Sequence, residues 1–255
     1  MVGLGRAGVA AGRPTFVTAE SFSADTSCIL DEHAVRHIRV LRLDAGAVVG
    51  LRDGRGSIGA GRIVRLTKSQ AHVEVTEVEV VEPPPPVHLL VPVADRDRML
   101  WLAEKAGELG CTSWRPVLWR RSRSVSPRGE GMTFQAKVRA RMEIALAQSE
   151  GAWLPQRFPE ANVERALLAA PAGDRFVLHP GGVALTAARQ AAMPPAIVLA
   201  LGPEGGIEED EYEAVINAGF APVSLGPTIL RFETAGIVAM GIARTMLSNA
   251  EGADE

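Results

Sequence analysis

Ile197-Val198-Leu199-Ala200-Leu201-Gly202-Pro203-Glu204-Gly205-Gly206-Ile207 runs from an unbroken apolar stretch straight into a glycine loop, and Glu208-Glu209-Asp210-Glu211 follow at once. The apolar run is too short for a buried helix and shows no alternation, so it reads as a strand covered on both faces. The four acids suit the positive end of a helix dipole, so a helix opens there. Strand, glycine loop and helix together make one unit of an open α/β sheet, whose ligands sit beyond the carboxyl ends of the strands. Acids at that helix opening would repel a phosphate, which disfavours a nucleoside triphosphate and leaves room for a neutral or cationic ligand such as a sulfonium.

Working outward, Val87-His88-Leu89-Leu90-Val91 is a second buried strand, and Phe176-Val177-Leu178 and Pro222 to Leu225 are shorter candidates with helical patterns between them. Alternation of strands and helices predicts a parallel sheet with helices on both faces. Arg98 to Leu109 puts Met99, Leu102, Ala106 and Leu109 on one helical face, and Gly110 can close that helix in the left-handed conformation. Upstream, Pro83 to Pro86 form an extended connector without backbone donors. Before it, Ala47 to Arg52, Gly59 to Leu66 and Ala71 to Val81 make a small β-rich module, with a slip in the apolar alternation at Thr76-Glu77 that suits a bulge. The expected divisions are a loose tail (1–12), the small domain (13–82), the proline linker (83–86) and the large domain (87–255).

With 255 residues, 47% of them hydrophobic, the chain can bury a real core. Cys28 and Cys111 are too few for a disulfide framework or a thiolate cage and read as free thiols in a reducing compartment. The opening residues lack a signal peptide's apolar core, and no run approaches a membrane span, so a cytoplasmic location is expected. A formal net charge of −3 argues against a general nucleic-acid binder, yet the charge is polarised. Between Ser113 and Arg141 stand eight basic residues and one acid, Glu130, whereas from Leu199 onward ten acids face Arg231 and Arg244. Such a chain can carry a local phosphate-binding surface; the alternative is a solvated arginine-rich face.

A second glycine loop, Leu225-Gly226-Pro227-Thr228-Ile229-Leu230-Arg231, precedes Glu233-Thr234-Ala235 and a helix to Leu247 that is apolar on every side. Gly202-Pro203-Glu204-Gly205-Gly206 and this second loop, about twenty residues apart, resemble the signature of the RsmE family, SPOUT-class enzymes that methylate N3 of a uridine in small-subunit (16S) ribosomal RNA. His37 to Arg42, Glu104 to Gly110, Gln148-Ser149 and Leu178-His179-Pro180 extend the resemblance over residues 13 to 247. The chain departs from the family pattern at Glu150-Gly151-Ala152-Trp153, where the family usually has an arginine, at Ala94-Asp95, where it commonly has a lysine, and at Ile207, where it has phenylalanine.

The resemblance implies a PUA-like β-barrel followed by a trefoil-knotted α/β domain that dimerises through its knot. It implies S-adenosylmethionine as the cofactor, held by Leu178, His179, Leu201, Gly202, Gly205, Gly206, Leu225, Gly226 and Leu230. The all-apolar helix Glu233 to Leu247 independently predicts a homodimer, because no side of it can be left to water; Gly236 and Gly241 each cost it about 1 kcal/mol relative to alanine, which suits close backbone approach. Arg231 is the candidate for stabilising an anionic base, or it pairs with Glu204 or Glu233; Glu204 is the second candidate catalytic group. Arg36, Arg39 and Arg42, spaced by three, and Arg120, Arg121 and Arg123 are candidate RNA phosphate contacts.

Other candidates carry less. His33 and His37 stand at i, i+4 but lack a third ligand, so no metal is expected. His179 reads as a loop residue shaping the pocket. Trp101, Trp114, Trp119 and Trp153 can stack bases or fill cores, and only Trp119 sits among arginines. Two other functions stay open: a SPOUT-type RNA methyltransferase with a different target, and a noncatalytic ribosome-assembly protein that binds RNA.

Overall fold

The computed structural model describes residues 9–10, 12–124, 128–188 and 196–251, the side chains of 123, 124 and 249–251 excepted. The chain divides into two compact units, one of residues 1–83 with 143–154, the other of residues 84–142 with 155–255. The first unit therefore takes in Glu143–Leu154, which the sequence reading assigns to the large domain. Two contacts explain it: Trp153 Nε1 donates to Val81 O at 2.9 Å, and Leu154 packs where a Cβ on Gly54 would stand. Of the expected tail, residues 1–8 and 11 lie outside the described residues, and Ala10 is buried against Ile58 and Ala152.

In the first unit the strands β1 (Thr15–Val17), β2 (Ser27–Leu30), β3 (Val48–Arg52), β4 (Ser57–Leu66) and β5 (Ala71–Val80) form one sheet in the order β1-β3-β4-β5-β2. All neighbours are antiparallel except β1 with β3. The slip at Thr76 is a bulge: Ala60 faces Glu77 and Gly61 faces Val75, so Thr76 has no partner across the ladder and turns its hydroxyl to Ala60 O. Helix α1 (Glu32–Val40) opens on Asp31, whose side chain accepts from Ala34 N, and seals the sheet with Ala34, Val35 and Ile38.

The second unit is a wholly parallel sheet built from β6 (Val87–Pro92), β7 (Ser113–Leu118), β8 (Gln156–Arg157), β9 (Ala161–Asn162), β10 (Asp174–Ala184), β11 (Ile197–Ala200) and β12 (Ala221–Ser224). Its order is β12-β10-β11-β6-β7-β8, with β9 also on β7. The central strands β6 and β11 carry the apolar runs read from the sequence, and Val87, Leu89, Ile197, Val198 and Leu199 are fully buried. Helix α2 (Arg96–Glu108) starts two residues earlier than its apolar pattern because Asp95 caps it, accepting from Asp97 N and Arg98 N. Gly110, at φ +64, ends it as expected. Helices α3 (Met132–Gln148), α4 (Val163–Leu168), α5 (Glu209–Asn217) and α6 (Phe232–Glu251) complete the set, and none among the described residues is long and apolar enough to cross a membrane.

The fold resolves two features of the sequence. Trp119 stands among arginines in sequence, yet its ring is buried in the core with Val117, Ala166, Val198 and Phe220, and Trp114 is buried as well. Within its own chain helix α6 leaves one face uncovered: Phe232, Gly236, Ala239, Met240, Ala243 and Leu247 face inward, while Val238 is 37% exposed and a Cβ on Gly241 would meet nothing within 4 Å.

Candidate active site

Three chain segments that leave the carboxyl ends of neighbouring strands meet at one cavity of about 850 Å³. The first comes from β10. Leu178 and Val183 both pair with Val223 of β12, so His179-Pro180-Gly181-Gly182 leave the sheet as an excursion between them. Gly182 makes that possible, since a Cβ there would stand 2.4 Å from Val223 N. The second segment is the loop after β11, Leu201 to Glu209, and the third runs from Val223 at the end of β12 through the second glycine loop to Phe232.

All nine residues read as cofactor contacts line this cavity: Leu178, His179, Leu201, Gly202, Gly205, Gly206, Leu225, Gly226 and Leu230. Glu204 and Arg231 line it too. Gly206 (φ +79) and Gly226 (φ +142) hold the left-handed turns of the two loops, where a side chain would strain the backbone. His179 Nδ1 accepts from Gly181 N at 3.1 Å, and the ring centroid lies 4.8 Å from that of Tyr212, which lines the same cavity.

Of the two readings of Arg231, the pairing with Glu204 or Glu233 is not the one seen. Arg231 makes no ion pair among the described residues; Glu204 and Glu233 are both held by Arg98, Nη1 lying 3.2 Å from Glu204 Oε1 and Nε 3.8 Å from Glu233 Oε1. Sequence spacing offers no sign of Arg98, because it reaches the loops from the first turn of α2, more than a hundred residues away in the chain. Arg231 is instead an exposed cation on the cavity wall.

The arginine cluster is also committed. Arg120 and Arg121 lie in a short 3-10 helix, Arg120–Ser124, that docks on the acidic start of α5. Arg120 Nη2 bonds Asp210, and its backbone N–H donates to Glu211. Arg121 donates through Nε and Nη2 to both oxygens of Glu208 at 2.8 and 3.1 Å, and through Nη1 to Gly205 O at 2.6 Å. These bonds hold the Glu208 and Asp210 carboxyls below their usual range. Glu208 also caps α5, with Glu211 closing the capping box. Arg121 thus becomes part of the cavity wall, and the side chain of Arg123 lies outside the described residues.

In the first unit, Arg36 and Arg39 are exposed on α1, with Arg39 donating to Thr67 O at 3.0 Å. Arg42 falls beyond the helix cap Leu41, at φ +55, so it follows the turn rather than the helical face. His37 packs edge-on to Phe16, 5.6 Å between ring centroids.

Comparison with known proteins agrees with this arrangement. A family described as RNA methyltransferase domain matches residues 81–244, and one described as RNA methyltransferase PUA domain matches residues 30–76. Ribosomal RNA small subunit methyltransferase E of Synechocystis sp. is 32% identical over 219 residues, covering 83% of this chain and 70% of the relative. The protein of the same name from Mycobacterium bovis is 30% identical over 221 residues, covering 80% and 83%. A crystal structure of a Ribosomal RNA small subunit methyltransferase E from Neisseria gonorrhoeae bound to S-adenosyl methionine superposes with a TM-score of 0.81 at 28% identity, over 92% of this chain and 98% of that one. With the large unit matched almost throughout, and the small one matched as its PUA companion, this chain belongs to the RNA methyltransferase family.

Proposed function

We propose that this protein transfers a methyl group from S-adenosylmethionine to N3 of a uridine in 16S ribosomal RNA of the small subunit. The observation that carries the reading is the convergence of two glycine loops and the His179 excursion on one cavity. The cavity suits the cofactor. Its volume lies in the range of small-molecule sites, and Leu178, Leu201, Leu225 and Leu230 offer apolar walls beside glycine backbone that a ligand can approach directly. The start of α5 is closed by the Glu208–Glu211 capping box, which occupies backbone N–H groups a phosphate would need there and a sulfonium does not.

S-adenosylmethionine supplies an electrophilic methyl group. The chain's own task is to hold the base in line and to favour loss of its N3 proton, which is orientation and electrostatics. Arg231, on the wall and without a carboxylate partner among the described residues, supplies positive charge for the anionic base. Glu204, tied to Arg98, acts by ordering the first loop. No metal enters this scheme.

The same reading gives the large domain a trefoil-knotted SPOUT fold and the small domain a PUA-like β-barrel that binds RNA, with Arg36, Arg39 and Arg42 on phosphates. It also gives a cytoplasmic homodimer. Support for the dimer comes from Val238 and Gly241, whose open apolar face on α6 a second copy would cover. Ribosomal RNA from a strain lacking the protein, treated with it and with methyl-labelled cofactor, should gain label on one uridine at N3 by mass spectrometry. Label on another nucleotide would assign a different target, and no label with intact cofactor binding would leave an RNA-binding assembly protein.

A further inference from the structure

Glu233 is the acid the proposed chemistry does not use, and its surroundings make it informative. It is 6% exposed at the start of α6, and its Oε2 has no hydrogen-bond partner among the described residues. A buried carboxylate needs a cation, and among the described residues Arg98 is the one within 4 Å. The same guanidinium hydrogen-bonds Glu204 in the middle of the first glycine loop. Arg98 itself is fixed by a third element, since Asp95 caps the helix turn that carries it and Met99 beside it is fully buried. One side chain on α2 therefore joins the loop that follows β11 to the helix that follows the second glycine loop. Gly236, one turn into α6, keeps the same three parts close: a Cβ there would stand 2.9 Å from Leu102 of α2 and 3.0 Å from Leu201 of the first loop.

We propose that Arg98 is a positioning residue for the cofactor, a clamp that sets the spacing of the two glycine loops by holding Glu204 and Glu233 at once. The proposal rests on the reading of the cavity as the S-adenosylmethionine site. Arg98 does not line the cavity, so its effect on the cofactor must pass through the carboxylates it holds. Arginine suits the task because its planar fork offers separate donors to two partners, whereas a lysine is a single point charge.

The test is a double-mutant cycle on the full chain, read as S-adenosylmethionine affinity by calorimetry with the unfolding midpoint measured beside it. Arg98→Ala and Glu204→Ala should each weaken binding by about tenfold, and the double variant should be no weaker than the poorer single, because both remove one interaction. Arg98→Lys should recover part of the loss. Glu204 is on the surface, so Glu204→Ala should keep the wild-type unfolding midpoint, and the cycle stays readable if Arg98→Ala is destabilised by the stranded Glu233; Arg98→Ala combined with Glu233→Gln then restores stability but not affinity. Losses that multiply in the double variant, or wild-type affinity in Glu204→Ala and Arg98→Lys together, would overturn the clamp alone. A wild-type protein that binds no S-adenosylmethionine would overturn the cavity reading and the clamp with it.

Discussion

Gly205 and Gly206 are neighbours with different constraints. Gly205 has an ordinary backbone angle, and a Cβ on it would stand 3.1 Å from Arg121 Cβ; Gly206 sits at φ +79 with only the tip of Arg121, 3.5 Å away, near a Cβ. Gly206→Ala should therefore cost about 1–2 kcal/mol through the left-handed backbone alone, seen as a lower unfolding midpoint. Gly205→Val should leave the fold in place but displace Arg121 from the Gly205 carbonyl and abolish cofactor binding by calorimetry; unchanged affinity would remove the loop from the site. His88 gives a second residue-scale expectation. Burial, helped by the charge of Arg244, pushes its pKa below the ordinary histidine value of 6.5, and its Nδ1 lies 2.8 Å from Ser113 Oγ. Between the depressed folded pKa and 6.5 the unfolded chain binds the extra proton more readily, so stability falls as pH drops through that window. Denaturant midpoints from pH 7.5 downward should show this decline, and His88→Gln should flatten it.

Among the elements, α6 carries the sharpest test. In a single chain Gly241 gives up helix propensity and gains no contact in return, so Gly241→Ala should stabilise an isolated chain by about 1 kcal/mol. If a second copy packs against Val238 and Gly241, the added methyl instead obstructs that approach and weakens the dimer. Sedimentation across a concentration series should find a wild-type dimer, a weaker one for Gly241→Ala and a monomer for Val238→Glu; a monomeric wild type, stabilised by the alanine, would end the dimer proposal. Elements of this kind were legible to the degree that their determinants are local. The runs of β6 and β11, the Thr76 bulge and the glycine loops each follow from a few adjacent residues. The outward face of α6 did not follow, because composition shows that a helix is apolar but not which stripe its own chain covers. Arg98 was illegible for the same reason at longer range: residues 98, 204 and 233 become neighbours only when α2, the first loop and α6 are folded, and nothing in their spacing foretells it. The Arg120 and Arg121 pairing with α5 is a further case, since a cluster of arginines looks equally free whether it awaits RNA or is already held by acids ninety residues on.

For the molecule as a whole, the proposed cofactor site and the proposed RNA contacts of the small domain fall in different units. Every described residue that lines the cavity belongs to the second unit, while Arg36, Arg39 and Arg42 belong to the first, exposed and with no carboxylate paired to them among the described residues. Arg120 and Arg121, by contrast, already hold Asp210 and Glu208, so giving them to RNA would first require breaking those pairs. The proposed phosphate contacts are therefore assigned more to the small unit than the sequence, which weighed both groups alike, suggests. Each phosphate contact releases counterions, and the slope of log affinity against log salt falls by roughly one for each contact removed. Arg36, Arg39 and Arg42 changed together to alanine should weaken RNA binding and flatten that slope by about three if each holds one phosphate. Cofactor affinity should be untouched, because no described residue of the first unit lines the cavity. Arg231→Ala should do the reverse, depressing turnover at saturating RNA far more than it weakens RNA binding. Filter binding over a salt series, with calorimetry on the same preparations, separates the outcomes. A triple variant with the wild-type slope would make those arginines a solvated face and return the RNA surface to the second unit, where Arg120 and Arg121 would have to exchange their acids for phosphates.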